Sequence, residues 1–277
     1  MRGDRMTTLA VPRALVLTGY GINCDRETEF ALALAGAKAR RVHINDLIDG
    51  LDSLDRYQIL AVPGGFSYGD DIASGKVLAN RLRTHLSEAL ARFVQRGSLV
   101  LGICNGCQVL VKYGLLGRPT GAAGRQVMTV WFNDSNRYED RWVHLRVEGE
   151  RCVFTRGIRS LYLPVAHGEG KFVAAAEDLE QIESEGLVAL RYADEQGNPA
   201  GRRYPANPNG SVNDIAGVTD SSGRIFSLMP HPERFLHFTH HPHWTRIAEA
   251  CRREGRPLPE QGQGLAIFRN AVTYFTD

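Results

Sequence analysis

The sequence lacks the features that would assign it to a specialised class of protein. Only 5 of its 277 residues are cysteines, whereas secreted disulfide-stabilised domains carry a denser, even set. Its 33 Lys and Arg nearly balance its 31 Asp and Glu, so the formal charge of +2 gives no electrostatic reason to expect a nucleic-acid or membrane partner. No apolar run approaches the roughly 20 residues of a membrane-spanning helix. These absences predict a cytoplasmic protein with free thiols.

Further absences bear on domain organisation and on cofactors. The chain has no G-x-x-x-x-G-K-[ST] loop of the kind that binds ATP phosphates. It has no internal repeat or low-complexity linker, and its charged first dozen residues contain no apolar segment of a signal peptide. Because 43% of the residues are hydrophobic, the chain can bury a large core. We predict a single domain over residues 1–277.

Short apolar runs alternate with amphipathic stretches in the first half of the chain. The runs at 13–18, 58–62 and 98–103 are apolar almost throughout, which is typical of strands covered on both faces. Residues 25–37 and 76–96 place apolar side chains at helical spacing. This alternation predicts an α/β fold with a mostly parallel sheet flanked by helices. The other predicted elements are strands at 42–44, 127–132, 142–147, 152–154, 187–192 and 224–229, and a last helix over 264–275.

The segment Gly102-Ile103-Cys104-Asn105-Gly106 lies where an apolar run meets a helical pattern. In a turn of the form G-x-nucleophile-x-G, small flanking residues allow a tight backbone that raises the central side chain above the sheet. The N-terminus of the following helix favours a thiolate, and its N–H groups can bind the oxyanion formed from an amide carbonyl. Cys104 is therefore the predicted nucleophile; the alternative is a buried structural cysteine.

Cys104 and Cys107 also form a C-x-x-C pattern, which allows a redox or a metal interpretation. A zinc site needs two more ligands at suitable spacing, and the chain has no second C-x-x-C. The chain is also far longer than a thioredoxin-like domain. The glycines that flank Cys104 therefore favour a hydrolytic nucleophile over a redox or metal-binding cysteine.

A cysteine nucleophile needs a base, and two segments carry a histidine followed two residues later by a glutamate. They are His167-Gly168-Glu169 and His231-Pro232-Glu233. In an extended segment, residues two apart project to the same face, so either glutamate could orient its histidine. His231 follows an apolar run, and a strand end holds a side chain rigidly. This position favours His231 without excluding His167.

Two other patterns have a weaker chemical meaning. Gly64 and Gly65 follow an apolar run, where they would let backbone N–H groups approach a ligand or would form an ordinary turn. Four histidines fall within seven residues, which could suggest a metal site; they are His237, His240, His241 and His243. Pro242 and the polar neighbours favour a loop instead, and we predict no metal.

Together these motifs resemble those of the glutaminase subunits of phosphoribosylformylglycinamidine synthase, which are class I glutamine amidotransferases. The combination of P-G-G-F-S-Y-G-D with G-I-C-N-G and H-G-E-G is highly specific, since a generic class I amidotransferase would share only the elbow and H-P-E. The matching stretches keep the family's order along most of the chain, at 19–25, 63–70, 102–108, 166–170, 207–211 and 229–234. The residues after Arg234, including Arg252–Gln263, extend beyond the family's short form.

The resemblance implies a flavodoxin-like class I amidotransferase fold and a catalytic triad. Cys104 would be the nucleophile, His231 the base and Glu233 the residue that orients it. His167 would belong to a neighbouring loop near the site or near a partner. The remaining alternatives are another enzyme of the same scaffold, such as a γ-glutamyl hydrolase, and a non-catalytic subunit that kept the fold.

The resemblance also implies a substrate site and partners. L-glutamine would bind at Gly64, Gly65, Asn105 and Gln108, with Gly65 and Asn105 supplying the N–H groups of an oxyanion hole. The chain itself would need no cofactor, because ATP and magnesium would bind to its partner, the formylglycinamide ribonucleotide synthetase subunit. A small assembly subunit is a further candidate partner.

Overall fold

A computed structural model of the protein describes residues 11–116 and 126–276. The charged N-terminal residues that argue against a signal peptide lie almost wholly outside these ranges. Within them, no helix is both long and apolar enough to cross a membrane.

Nine strands form one sheet with a parallel half and an antiparallel half. The parallel half contains, in spatial order, β2 (Lys38–His43), β1 (Arg13–Thr18), β3 (Ile59–Val62), β4 (Leu99–Ile103) and β11 (Ile225–Leu228). The antiparallel half continues with β10 (Ile215–Thr219), β9 (Val188–Ala193), β6 (Glu139–Val147) and β7 (Ser160–His167). Two further strands, β5 (Met128–Phe132) and β8 (Glu169–Ala174), pair as an antiparallel ribbon.

Helices cover the parallel half, and every residue of β3, β4 and β11 is buried. A strand buried at successive positions is covered on both faces, because its side chains alternate between them. The helices of the described residues are α1 (Asp25–Leu34), α2 (Ile44–Ile48), α3 (Lys76–Gln95), α4 (Asn105–Tyr113), α5 (Ala176–Ser184), α6 (Trp244–Arg253) and α7 (Leu265–Thr273). The predicted α/β fold with a helix-flanked, mostly parallel sheet is confirmed.

Two predicted strand segments have a different structure. Residues 152–154 were apolar enough to predict a strand, but Val153–Thr155 form a 3₁₀ turn whose Phe154 packs on Phe226. These residues are apolar because they are buried against the sheet and α7, not because they are extended. The strand predicted at 42–44 ends at His43, whose Nδ1 accepts a hydrogen bond from the Asn45 N–H and so caps α2.

Candidate active site

Cys104 lies between β4 and α4 in a strained backbone conformation. Its φ is 50° and its ψ is −106°, and a non-glycine residue rarely has a positive φ. A Cβ atom added at Gly106 would lie 1.8 Å from the Val62 carbonyl oxygen, and one added at Gly102 would lie 2.8 Å from the Gly106 oxygen. Strand and helix therefore approach too closely for side chains at either flank, as the elbow pattern predicts.

The loops around Cys104 follow the carboxyl ends of neighbouring parallel strands, the edge where open α/β sheets bind ligands. Backbone hydrogen bonds connect these loops. The N–H groups of Asn23 and Cys24 both donate to the Gly64 oxygen, at 3.3 and 3.2 Å. The Cys104 N–H donates to the Leu228 oxygen at 2.8 Å, which places the elbow beside the segment that leads to His231.

His231 and Glu233 form a buried pair behind Cys104. The Nδ1 atom of His231 lies 2.6 Å from Oε1 of Glu233, and both side chains are almost fully buried. Burial opposes protonation of His231, but the carboxylate of Glu233 and the Cys104 sulfur outweigh it, so the pKa of His231 is raised well above its ordinary value. Nε2 of His231 is buried and has no hydrogen-bond partner among the described residues.

His167 ends β7 and lines the pocket that opens at Cys104, but its ring has a different partner from that of His231. Its Nδ1 lies 3.1 Å from the amide oxygen of Asn133, and the described residues provide no hydrogen bond between its ring and Glu169. Burial, together with the charge of His231, lowers the pKa of His167 to about 3. The ring is therefore neutral at physiological pH. Of the two His-x-Glu segments, only 231–233 brings its histidine and glutamate together.

A pocket of about 180 Å³ opens at Cys104. Its lining includes two of the residues predicted to bind substrate, Gly65 and Gln108. Gly64 lies behind it: a Cβ atom there would be 2.9 Å from the His231 ring. The rest of the lining is Phe66, Asp70, Ser74, Phe132, Tyr138, Ala166, His167, Gly168 and Glu169.

The side chain of Asn105 fastens a loop to α4 instead of facing the pocket. Its Oδ1 accepts from the Ser67 N–H at 3.1 Å, and its Nδ2 donates to Asp70 at 3.1 Å and to Gln108 at 2.8 Å. Gln108 in turn donates to the Glu169 carbonyl oxygen at 2.6 Å. The backbone N–H of Asn105, in the first turn of α4, remains the group of this residue suited to an oxyanion.

Residues 11–275 match the family model of the CobB/CobQ-like glutamine amidotransferase domain. The chain belongs to this family. It is 46% identical over 266 residues to the phosphoribosylformylglycinamidine synthase subunit PurQ of Methanococcus maripaludis strain S2, which covers 96% of this chain and 98% of the relative. The subunit of the same name from Dehalococcoides mccartyi is 47% identical over 263 residues, or 95% of this chain and 97% of the relative.

Among solved structures, a chain of PurLQS from Thermotoga maritima matches this amidotransferase with a TM-score of 0.69 and 30% identity, over 96% of this chain and 99% of that chain. Matches of this extent include the residues after Arg234. The extension beyond the short form is therefore shared with relatives and is not peculiar to this chain.

Sequence reasoning missed the residues that support the His167 loop of the amidotransferase. Asn133 donates to the His167 oxygen at 2.8 Å and accepts from the Gly170 N–H at 3.1 Å. Asn209 donates to the Gly170 oxygen at 2.8 Å, and Ser211 accepts from the Phe172 N–H at 3.0 Å. The motif at 207–211 was visible in the sequence as part of the family pattern, whereas no sequence signal identified Asn133.

In the described part of the chain, one group of buried residues could hold a metal ion. Possible ligand atoms of Cys24, His231 and Glu233 lie within 4.8 Å of one another. The guanidinium of Arg234 donates to the Cys24 sulfur at 3.3 Å, and this positive charge opposes cation binding. The histidine cluster at 237–243 makes aromatic contacts: the ring centroids of His241 and Trp142 are 5.7 Å apart.

Proposed function

We propose that this amidotransferase is the glutaminase subunit of a phosphoribosylformylglycinamidine synthase and supplies ammonia to an ATP-dependent synthetase subunit. The observation that carries the proposal is a buried His231–Glu233 pair, 2.6 Å apart, beside the Cys104 elbow in a chain that matches PurQ subunits over almost its full length. The phosphates of ATP, and magnesium with them, would bind to the partner.

The proposed reaction uses the three buried residues in sequence. The Cys104 sulfur attacks the carboxamide carbon of glutamine, and Nε2 of His231 carries the thiol proton to the leaving ammonia. A γ-glutamyl thioester remains on Cys104, and water activated by His231 hydrolyses it to glutamate. Glu233 accepts the Nδ1–H and so keeps Nε2 directed to the reaction. The free Nε2 supports this role because it has no competing partner in the described residues.

The oxyanion of the tetrahedral intermediate needs N–H donors that are not already used. The Cys104 N–H is unavailable, since it donates to Leu228. The N–H of Gly65 has no partner in the described part of the chain, and the first N–H groups of α4 have none within the helix. We therefore assign the oxyanion hole to the backbones of Gly65 and Asn105. Gln108 and Tyr138 line the pocket and would contact the rest of glutamine.

The loop next to Gly65 offers a way to couple hydrolysis to the partner. Tyr68, Gly69 and Asp70 all have a positive φ, between 54° and 70°, so the backbone of this loop is held in a strained arrangement. Phe66, at the start of the loop, lines the pocket and is half exposed. A synthetase docked here would set the Gly65 N–H in place. Losing one oxyanion donor costs roughly 10²–10³ in rate, so the isolated chain should hydrolyse glutamine poorly.

The test reconstitutes the synthesis of formylglycinamidine ribonucleotide with purified synthetase, formylglycinamide ribonucleotide, ATP and either glutamine or ammonium chloride as nitrogen source. Wild-type protein should support both reactions and should release glutamate faster with the partner than alone. Cys104→Ala should abolish the glutamine-dependent reaction and leave the ammonium-dependent one. Cys107→Ser is the matched control, because Cys107 lies outside the pocket lining.

Two results would contradict the proposal. Full glutaminase activity of the isolated chain, unchanged by the synthetase, would favour a free-standing hydrolase. Failure of the wild-type protein to support glutamine-dependent synthesis with a synthetase that works with ammonium would exclude it as that enzyme's glutaminase subunit.

A further inference from the structure

Cys24 lies against the same imidazole as the nucleophile, although the two cysteines are far apart in sequence. A methyl group placed at Gly64 would be 2.9 Å from Cε1 of His231, 3.3 Å from the Cys24 sulfur and 3.5 Å from Cβ of Cys104. The Cys24 sulfur and Cβ of Cys104 are therefore no more than 6.8 Å apart, the sum of the last two distances. Because residue 64 is a glycine, no side chain fills the space that the three groups share.

Polar and charged groups surround the Cys24 sulfur, and its thiol donates to Oδ1 of Asn23 at 3.3 Å. Arg234 donates to its sulfur at 3.3 Å, and Cys24 is the N-cap residue of α1, where the helix dipole is positive. Nε2 of His231 is buried and unpartnered in the described part of the chain. A positive charge next to a buried sulfur, beside a proton carrier, is the setting in which a thiol exchanges into a disulfide.

We propose that Cys24 is the disulfide partner of Cys104 and that oxidation by a peroxide converts this pair into a reversible off-state of the enzyme. The disulfide requires only that Cys104 is a reactive thiol, and it does not depend on which acceptor receives the ammonia. Cys104 lines the pocket and can meet a small oxidant there, whereas Cys24 is buried and absent from the pocket lining.

Cys107, the other member of the C-x-x-C pattern, has a different environment. It is fully buried, and burial together with the Cys104 charge raises the pKa of its thiol far above the ordinary value. A buried thiol that stays protonated is a poor nucleophile for a disulfide. The structure thus favours a partner 80 positions away over the one that the local motif suggests.

The chemistry balances with hydrogen peroxide as the oxidant. The Cys104 thiolate attacks one peroxide oxygen, an S–O bond forms, the O–O bond breaks, and the departing hydroxide takes a proton from His231 to become water. The Cys24 thiol then gives its proton to the neutral His231 and its sulfur attacks the sulfenic sulfur of Cys104. The S–S bond forms, the S–O bond breaks, and the leaving hydroxide takes that proton from His231 to become water. Two thiols and one peroxide give one disulfide and two waters.

Closing the bond requires a modest rearrangement. In the reduced structure the Cys104 thiol points to the Ala166 oxygen at 3.6 Å, so its side chain must rotate toward Cys24. In the disulfide the two Cβ atoms would lie about 3.5–4.5 Å apart. The disulfide would remove the nucleophile and place a sulfur against the His231 ring, so glutamine hydrolysis would stop.

The experiment treats the full chain with hydrogen peroxide, blocks the remaining thiols and analyses the protein by intact mass and by non-reduced peptide mapping. Before blocking, the mass of wild-type protein should fall by about 2 Da; after blocking, mapping should yield a peptide pair joined through Cys24 and Cys104, and dithiothreitol should restore glutaminase activity. Cys24→Ser should instead accumulate the sulfinic and sulfonic acids of Cys104, without recovery. Cys107→Ser is the matched control and should form the same cross-link as wild type.

Two outcomes would overturn the inference. One is a cross-link that joins Cys104 to Cys107. The other is oxidation of wild-type Cys104 to higher acids with no Cys24–Cys104 peptide. Peptide mapping of the wild type decides between these outcomes even where Cys24→Ser fails to fold. The mass readout does not depend on any synthetase, so failure here is distinguishable from failure of the proposed function.

Discussion

His231 and His167 are both buried histidines near Cys104, and a glutamate follows each by two residues, yet the two segments fold differently. His231 is followed by Pro232, and its ring meets the Glu233 carboxylate at 2.6 Å. His167 is followed by Gly168, and its ring meets the neutral amide of Asn133 at 3.1 Å. A carboxylate favours the protonated imidazole, whereas an amide in a buried site leaves the cost of charging unopposed. The pKa of His231 is accordingly raised and that of His167 lowered.

The difference supports different tasks for the two histidines, with His231 as the proposed base. A proton carrier needs a partner that stabilises its charged form, and His231 has one. His167 is bonded instead into a network that shapes the pocket wall through Asn133 and Gly170. Spacing alone therefore does not identify a catalytic pair, because the partner of each ring is set by the fold.

Replacing each histidine by alanine should give the largest difference in kcat between the two segments. His231→Ala should lower kcat for glutamine by about 10⁴–10⁶, as for other nucleophile–base pairs that act as a unit. His167→Ala should lose much less, chiefly through a higher KM, because it removes pocket wall and not the base. Steady-state glutamate release with the synthetase present measures both. Equal losses in the two variants would refute the division of tasks.

A smaller loss of kcat is expected when only the negative charge of Glu233 is removed. Glu233→Gln keeps the size of the side chain but leaves the imidazolium without its counter-charge, and kcat should fall by about 10⁴. The pH dependence of kcat/KM should shift as well, since the cause of the raised His231 pKa is gone. Glu169→Gln is the matched control and should keep the wild-type profile. A shifted profile in the control and not in Glu233→Gln would reverse the assignment.

Elements with a continuous local signal could be predicted from the sequence. The strand β4 and the helix α3 agree with the prediction to within one residue at each end, because their apolar patterns are long and uninterrupted. The helix α5 was missed because only two of its residues, Asp178 and Ile182, are buried, which is too few for an apolar stripe. The helix α2 has five residues and follows β2 without a connection, so no boundary signal separates them.

At the site, too, residues with a local sequence signal could be predicted and residues without one could not. Cys104 and His231 each lie in a short motif whose geometry is local, an elbow and a strand end. Asn133 and Cys24 act through partners distant in sequence: Asn133 reaches His167 across 34 positions, and Cys24 reaches Arg234 across 210. Such pairs depend on how the loops meet at the sheet edge, which periodicity and spacing do not encode.

A pair of glycines extends the comparison, because each packs against one of the two rings. Gly64→Ala would place a methyl group 2.9 Å from the His231 ring and should cost about 10² in kcat by displacing the base. Gly170→Ala would place one 2.2 Å from the His167 ring and should instead destabilise the fold, by about 1–3 kcal/mol. Glutaminase assays and urea unfolding of both variants measure the two effects. Loss of activity without loss of stability at Gly170 would show that His167 takes part in catalysis.

The smallest expected effect is a change in how stability depends on pH. The pKa of His167 is about 3 in the folded protein and about 6.5 in an unfolded chain. Between these values the unfolded chain binds a proton that the native ring does not, so the free energy of unfolding falls as the solution is acidified from pH 6.5, by at most about 1.4 kcal/mol per pH unit. His167→Gln should show a shallower acid slope, although it is less stable at pH 7.

The exposed His85 provides the control, and His85→Gln should keep the wild-type slope. His231→Gln should not flatten the acid slope. The pKa of His231 is raised in the folded protein, so below pH 6.5 the ring is protonated in both states and adds nothing to the slope. Its contribution to stability is lost only at higher pH, as the pH rises through the folded pKa. Urea unfolding from neutral pH to about pH 4 resolves these slopes. An unchanged slope in His167→Gln would mean that the ring is already charged in the native protein, and the contrast between the two histidines would fail.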